Sequence, residues 1–270
     1  MGASPYAVDR DGRPFVPTGD GGIVLGVRLG DGAFAYDADH VAPGACLVHP
    51  DERARFALTA QACIGNGVEV LSGAARGARG YVIGKRGEEG RVIVGLGDDA
   101  LALLVPGDGV RVEAFGQGAR LDAAVAEDVW LGNIDPGLLA RLPIDAAAGV
   151  VHARVRAVVP SRWLGNGVGR PAATWDVDIQ VAADDASAAG LAGLRLGDLV
   201  GLRDWDARHN QGHRRGMVTV GVVVHGHSRI PGHGPGAVPI LCAPARSLVL
   251  EVDGAPEANL SQWLGPTQAS

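Results

Sequence analysis

Forty-two of the 270 residues are glycine and sixteen are proline, and a chain so rich in the two residues that interrupt regular runs must turn often. No collagen period organises these glycines, so they mark tight turns between short elements, for which short strands are the natural partners. Hydrophobic residues make up 47% and charged residues 20%, which is ordinary globular usage and predicts a folded core. The length suits one large domain or two of ordinary size. We read a mainly β protein with few short helices, in two β-rich halves, 1–130 and 131–270.

The formal charge of −6 argues against a protein built to neutralise phosphates, since nucleic-acid affinity comes from clustered Lys and Arg. Lys85 is the only lysine. Cys46, Cys63 and Cys242 are odd in number and widely spaced, without a Cys-x-x-Cys pair, which suggests neither a disulfide framework nor a thiolate zinc site. The first residues carry no apolar core, and no run of about eighteen apolar residues occurs. The expectation is a cytoplasmic protein without a membrane partner; a homo-oligomer is compatible with the sequence.

Residues 1–20 read as an extended arm. The β-branched run 23–29, the turn Gly30-Asp31-Gly32 and residues 33–36 predict a hairpin. Asp51 and Glu52, ahead of good helix formers, predict a helix over 53–62. Residues 68–70, a glycine-rich turn over 72–80, and runs at 81–83 and 91–94 predict strands, followed by another after Pro106-Gly107-Asp108-Gly109. This pattern resembles the KOW-type turn of small SH3-like barrels, where glycines serve the sharply bent corners, and it implies barrel features. Asp135-Pro136 predicts a short helix. Residues 150–159 and 174–181 alternate as strands, the latter with Asp176, Asp178 and Gln180 on one face. Gly65-Asn66-Gly67 is echoed by Gly165-Asn166-Gly167, one of several faint internal echoes.

Five of the eight histidines, His209, His213, His225, His227 and His233, fall within 25 residues. Residues 217–224 read as a buried strand, and its period puts His225 and His227 on the face opposite Val218, Val220, Val222 and Val224. Such a His-x-His pair suits a divalent transition metal, with a carboxylate from elsewhere completing the set; a polar strand end is the plainer account. Beyond it, Gly232, Gly234 and Gly236 with two prolines fix an irregular loop around His233, which a ligand could approach closely. Arg208, His209, Asn210 and Arg214 form a basic loop suited to a carboxylate or phosphate. Asp39 beside His40 could supply a metal ligand or orient an imidazole, although neighbours on a strand face opposite ways. Cys63 is a nucleophile only if a histidine lies near it. No Walker A loop, HExxH helix, GxSxG elbow or Rossmann fingerprint is present.

Over nearly its whole length the chain resembles the uncharacterised bacterial proteins of domain-of-unknown-function family 4438. The matching stretches include Asp39-His40-Val41-Ala42-Pro43-Gly44, Ala62-Cys63-Ile64-Gly65-Asn66, Asp176-Val177-Asp178-Ile179, and Val222 to Gly226 through Gly232-His233-Gly234-Pro235-Gly236. The resemblance implies an N-terminal and a C-terminal part in one β-rich unit and brings no reaction with it. The family pattern has an aspartate where this chain has His227.

The reading that joins these features is a small-molecule enzyme, a hydrolase, lyase or cyclase acting on a polar metabolite where the 225–233 segment meets Asp39-His40. His225 and His227 would bind a metal or act as acid/base, His233 would carry the proton, and Arg208 or Arg214 would fix an anionic substrate. Histidine suits such work because its pKa of about 6.5 lets it accept and donate near neutrality. The alternatives are a metabolite-binding module without turnover and an RNA-associated factor using Arg76, Arg79, Lys85 and Arg86.

Overall fold

The computed structural model describes residues 6–19, 21–88, 90–122, 127–187, 189–252 and 258–264. It is mainly β. Of the expected arm, positions 1–5 and 20 lie outside the described residues; the rest forms a small antiparallel pair, β1 (Ala7–Val8) and β2 (Pro14–Phe15). Arg10 ties this arm to Asp185 at 2.6 Å.

Six strands of the first half form one sheet: β3 (Ile23–Val24), β4 (Gly44–Leu47), β5 (Gly67–Val70), β6 (Arg79–Arg86), β7 (Arg91–Gly95) and β8 (Val110–Val112), ordered β3-β4-β7-β6-β5-β8. The glycine-rich turn joins β5 to β6 as an antiparallel hairpin, as its sequence predicts. The barrel that the KOW-like pattern implied does not form, because the two edge strands β3 and β8 do not pair with each other, and no closed barrel occurs among the described residues. Nor does the hairpin expected over 23–36. Gly30 and Ala33 donate their N–H groups to the carbonyls of Leu196 and Leu194, 2.8 Å each, so this segment docks on the second half and leaves β3 to pair with β4.

Helix α1 (Glu52–Gln61) starts where expected, with the Asp51 carboxylate accepting the Ala54 N–H at 2.8 Å. Helix α2 (Asp98–Leu103) follows β7. After β9 (Trp130–Leu131), helix α3 (Pro136–Leu139) has the Asp135 cap and Pro136 at its start.

The second half adds β10 (Ile144–Ala147), β11 (Val150–Val155), β12 (Ala157–Pro160), β13 (Val177–Asp178), β14 (Leu199–Asp206), β15 (Gly212–His225), β16 (Gly236–Pro244) and β17 (Leu248–Val252). The strand expected over 150–159 is divided at Arg156, and of 174–181 only Val177 and Asp178 are laddered. The main sheet runs β12-β14-β15-β16-β13, with β9 also on β16; β10, β11 and β17 form a smaller sheet.

Alternation along β15 serves two cores. Val218, Val220, Val222 and Val224 join Ile83, Ile93 and Leu131 in one apolar cluster, while Met217 and Val223 join Trp205, Leu202 and Ile179 in another. Each such valine stabilises the fold by about 1.5–3 kcal/mol relative to exposure. The first cluster draws on residues from both sides of position 130, and Val224 lies so close over Gly84 of β6 that a Cβ there would overlap it. The next residue on the Met217 and Val223 side of β15 is His225.

Candidate metal centre

Four segments converge at the end of β15. The first is the loop after residue 36. Its backbone is fixed by the Asp39 N–H on the Thr18 carbonyl, 2.7 Å, and the His40 N–H on the His227 carbonyl, 2.9 Å. His40 has φ 51°, a left-handed conformation uncommon outside glycine. That turn brings adjacent side chains together: His40 Nδ1 donates to Asp39 Oδ2 at 2.7 Å, while Asp39 Oδ1 accepts from the Ser228 hydroxyl at 2.7 Å.

The second segment is β13, which carries Asp178 and follows Asp176. Here the glycine echo has structural meaning. Gly65 N–H bonds the Val82 carbonyl and Val82 N–H the Asn66 carbonyl, 2.8 Å each; likewise Gly165 N–H bonds the Asp178 carbonyl and Asp178 N–H the Asn166 carbonyl, 2.9 Å each. The second clamp sets the position of Asp178.

The third and fourth segments are the end of β15, with His225, and the glycine loop, with His233. His225 pairs with Gly236 of β16, and a Cβ on Gly236 would overlap both His225 Nε2 and Asp176 Oδ2. Only glycine leaves that space. Gly234 is pressed against the Ile179 carbonyl, which serves close packing of the loop, whereas Gly232 takes a φ of 81° and its carbonyl accepts from the Asn166 N–H.

The ligand-type atoms form two groups. His40 Nε2 lies 3.1 Å from His233 Nδ1 and 3.6 Å from Asp178 Oδ2, and His233 Nδ1 lies 3.1 Å from the same oxygen. His225 Nε2 lies 2.8 Å from Asp176 Oδ2 and 3.6 Å from Asp178 Oδ1. Asp178 Oδ2 is buried and has no properly directed hydrogen bond. Asp39, His40, Asp176, Asp178 and His225 are all buried, whereas the His233 side chain is 17% exposed. His233 lines a cavity of about 1160 Å³ together with Phe15, Trp163, His227, Ser228 and Arg229. It is the point where the buried cluster meets a space large enough for a metabolite.

Burial alone would depress the His40 pKa, but Asp178 and Asp39 outweigh it and hold it up at about 9. Burial likewise opposes ionisation of Asp178, but the nearby imidazoles of His233 and His40 keep its carboxyl far below the usual range. Asp39 is also held low: against its burial act the His40 and Ser228 hydrogen bonds. The His40 imidazole and the Asp39 and Asp178 carboxylates thus favour each other's charged forms.

Of the residues singled out in the sequence, Asp39, His40, His225 and His233 come together. His227 does not join them: β15 ends at His225, and the His227 ring donates from Nε2 to the Tyr36 carbonyl at 2.9 Å and stacks near Phe34. The basic loop is occupied by its own carboxylate. Arg208 grips Asp206 through two nitrogens at 3.0 and 2.8 Å, and Arg214 binds the same group at 3.0 Å. His209 and Asn210 are exposed. This loop reaches the cluster through Gln211, whose side-chain amide donates to the carbonyls of Trp175 and Asp176. Burial pushes the Cys63 thiol up to about 11, away from nucleophile chemistry. Of the four residues behind the RNA reading, Lys85 and Arg86 are buried, and Arg76 and Arg79 are exposed. Sequence reasoning placed Asp176 and Asp178 on one strand face but did not assign them to a site; the Asp-x-Asp spacing was the signal. Glu88, 3.5 Å from His233 Nδ1 and paired with Arg86, had none.

The chain is similar throughout to a solved structure, the crystal structure of TM1086, with a TM-score of 0.92 and 36% identity over 98% of this chain and 92% of that one. No curated protein matches. Two family models match in succession, "Domain of unknown function (DUF4438), N-terminal" over residues 6–140 and "Domain of unknown function (DUF4438), C-terminal" over residues 141–264. The chain belongs to this family, DUF4438, whose function is unknown.

Proposed function

We propose that the protein is a metal-dependent enzyme, a hydrolase, lyase or cyclase acting on a polar metabolite, with a divalent transition ion held by His40, His233 and Asp178. The observation that carries this reading is the mutual spacing of three donor atoms, 3.1, 3.1 and 3.6 Å. Ligands about 2.05 Å from a tetrahedral ion stand about 3.3 Å from one another, so the triad already has the dimensions of a coordination face. Two further features support it. Asp178 Oδ2 has no hydrogen bond to lose, and the Asp39 carboxylate holds His40 Nδ1–H, which leaves the Nε2 lone pair for a metal and raises its basicity.

The fourth position would face the cavity beside His233. A divalent ion there supplies a water of lowered pKa or polarises a carbonyl or phosphoryl oxygen. Arg10, Arg13 and Arg229 with Asp9, Asp11 and Asp37 line the cavity, and such walls suit a polar substrate.

The test is calorimetric titration of chelator-treated protein with Zn²⁺, Mn²⁺ and Co²⁺, beside a turnover screen of esters, lactones, amides and phosphoesters with and without the ion. Tight binding that Asp178→Asn and His233→Ala weaken, with turnover that returns only on metal addition, is expected. Failure of the folded wild-type protein to bind any of these ions overturns the reading.

A further inference from the structure

We infer that the same cluster holds a second divalent ion, ligated by His225, Asp176 and Asp178, with the Asp178 carboxylate bridging the two. This rests on the metal-centre reading above and goes beyond it. The two oxygens of Asp178 serve different groups: Oδ2 faces His40 and His233, and Oδ1 faces His225 at 3.6 Å. His225 donates from Nδ1 to the Gly226 carbonyl at 3.0 Å, which leaves the Nε2 lone pair directed at Asp176 and Asp178. Asp176 Oδ1 is held by the Gly87 N–H at 3.1 Å, so Oδ2 is the oxygen that faces His225 Nε2, at 2.8 Å. The His40 and His225 rings stand edge to face with centroids 5.1 Å apart, a spacing that fits ions about 3.5–4 Å apart in a two-metal site.

Charge and packing point the same way. Asp39, Asp176 and Asp178 are all buried. One divalent ion matches the charge of two of these three carboxylates, and a second ion with a bridging hydroxide matches all three; buried charge is retained only when balanced. Gly236 lets His225 Nε2 and Asp176 Oδ2 pack together directly against the β16 backbone, which a Cβ would prevent. Two ions on one hydroxide favour attack by water on an ester, amide or phosphoester, which narrows the proposed activity to hydrolysis.

The experiment is elemental analysis and electron paramagnetic resonance of wild-type protein loaded with Mn²⁺, repeated on His225→Gln and Asp176→Asn. Two ions per chain with an exchange-coupled spectrum, whose hyperfine lines are spaced at half the single-ion interval, are expected, falling to one uncoupled ion in either variant. One uncoupled ion in wild type, unchanged in the variants, overturns the second site and leaves the first standing. No bound ion in wild type removes both. Because the wild-type spectrum decides, a variant that fails to fold does not protect the proposal.

Discussion

His40 and Asp39 are neighbours in the chain, yet their side chains meet at 2.7 Å, because His40 takes a left-handed backbone conformation that turns both inward. On a strand they would face opposite ways. The pair forms a carboxylate–histidine unit in which Asp39 decides which ring nitrogen is left for a ligand.

Replacing Asp39 with Asn therefore should weaken metal binding without removing a ligand. An affinity loss of about 10–100-fold is expected for an orienting partner of this kind, measured by competition with a chromogenic chelator. Unchanged affinity would show that His40 needs no orientation by Asp39.

Gly236→Ala places a methyl group against His225 Nε2 and Asp176 Oδ2. The expected cost is about 1–3 kcal/mol, typical of an added group in a packed interior, read as a lower urea midpoint at unchanged slope. Adding His225→Ala should recover part of this loss, since the ring that is struck has gone. A midpoint equal to wild type for Gly236→Ala would contradict the geometry.

Lys85 is fully buried and gives its ammonium protons to the Thr59 carbonyl, Asn133 Oδ1 and the Ala173 carbonyl at 2.8–2.9 Å. Burial lowers its pKa from 10.5 to about 7. Above about pH 7 the unfolded chain then binds the proton that the folded chain has released, so this residue makes stability rise with pH toward 10.5. Urea midpoints for wild type should climb relative to those of Lys85→Met over about pH 7–8.5, where titration of the thiols is common to both proteins and cancels from the comparison. Parallel midpoints would mean that Lys85 keeps its proton. The variant should also be less stable overall by about 1–3 kcal/mol for each acceptor left unpaired.

Burial raises the thiols of Cys63 and Cys242 to about 11 each. A disulfide reagent at pH 8 should leave both unmodified in the folded protein and react with all three cysteines once the chain is unfolded. Stoichiometric labelling of Cys63 in the folded state would reopen its candidacy as a nucleophile.

Local chemistry made much of this architecture legible from the residues. The Asp51 and Asp135 caps start helices where the sequence puts them, the glycine turn after Val70 yields its hairpin, and the run ending at His225 is a strand buried on both faces. These features depend on neighbours within a few positions, and side-chain periodicity reports them directly. The sequence also placed the meeting of His225 and His233 with Asp39-His40.

Only the tertiary structure decided what that meeting contains. It sent His227 to the Tyr36 carbonyl because the strand whose period would have kept it beside His225 ends at His225 itself, two residues before it. It engaged Arg208 and Arg214 on Asp206 and brought in Asp176 and Asp178 through a short strand pairing with Gly236. A buried carboxylate is tolerated where distant segments supply its compensation, and contacts between residues 40, 178 and 233 belong to the packing of the chain on itself, which no local spacing encodes.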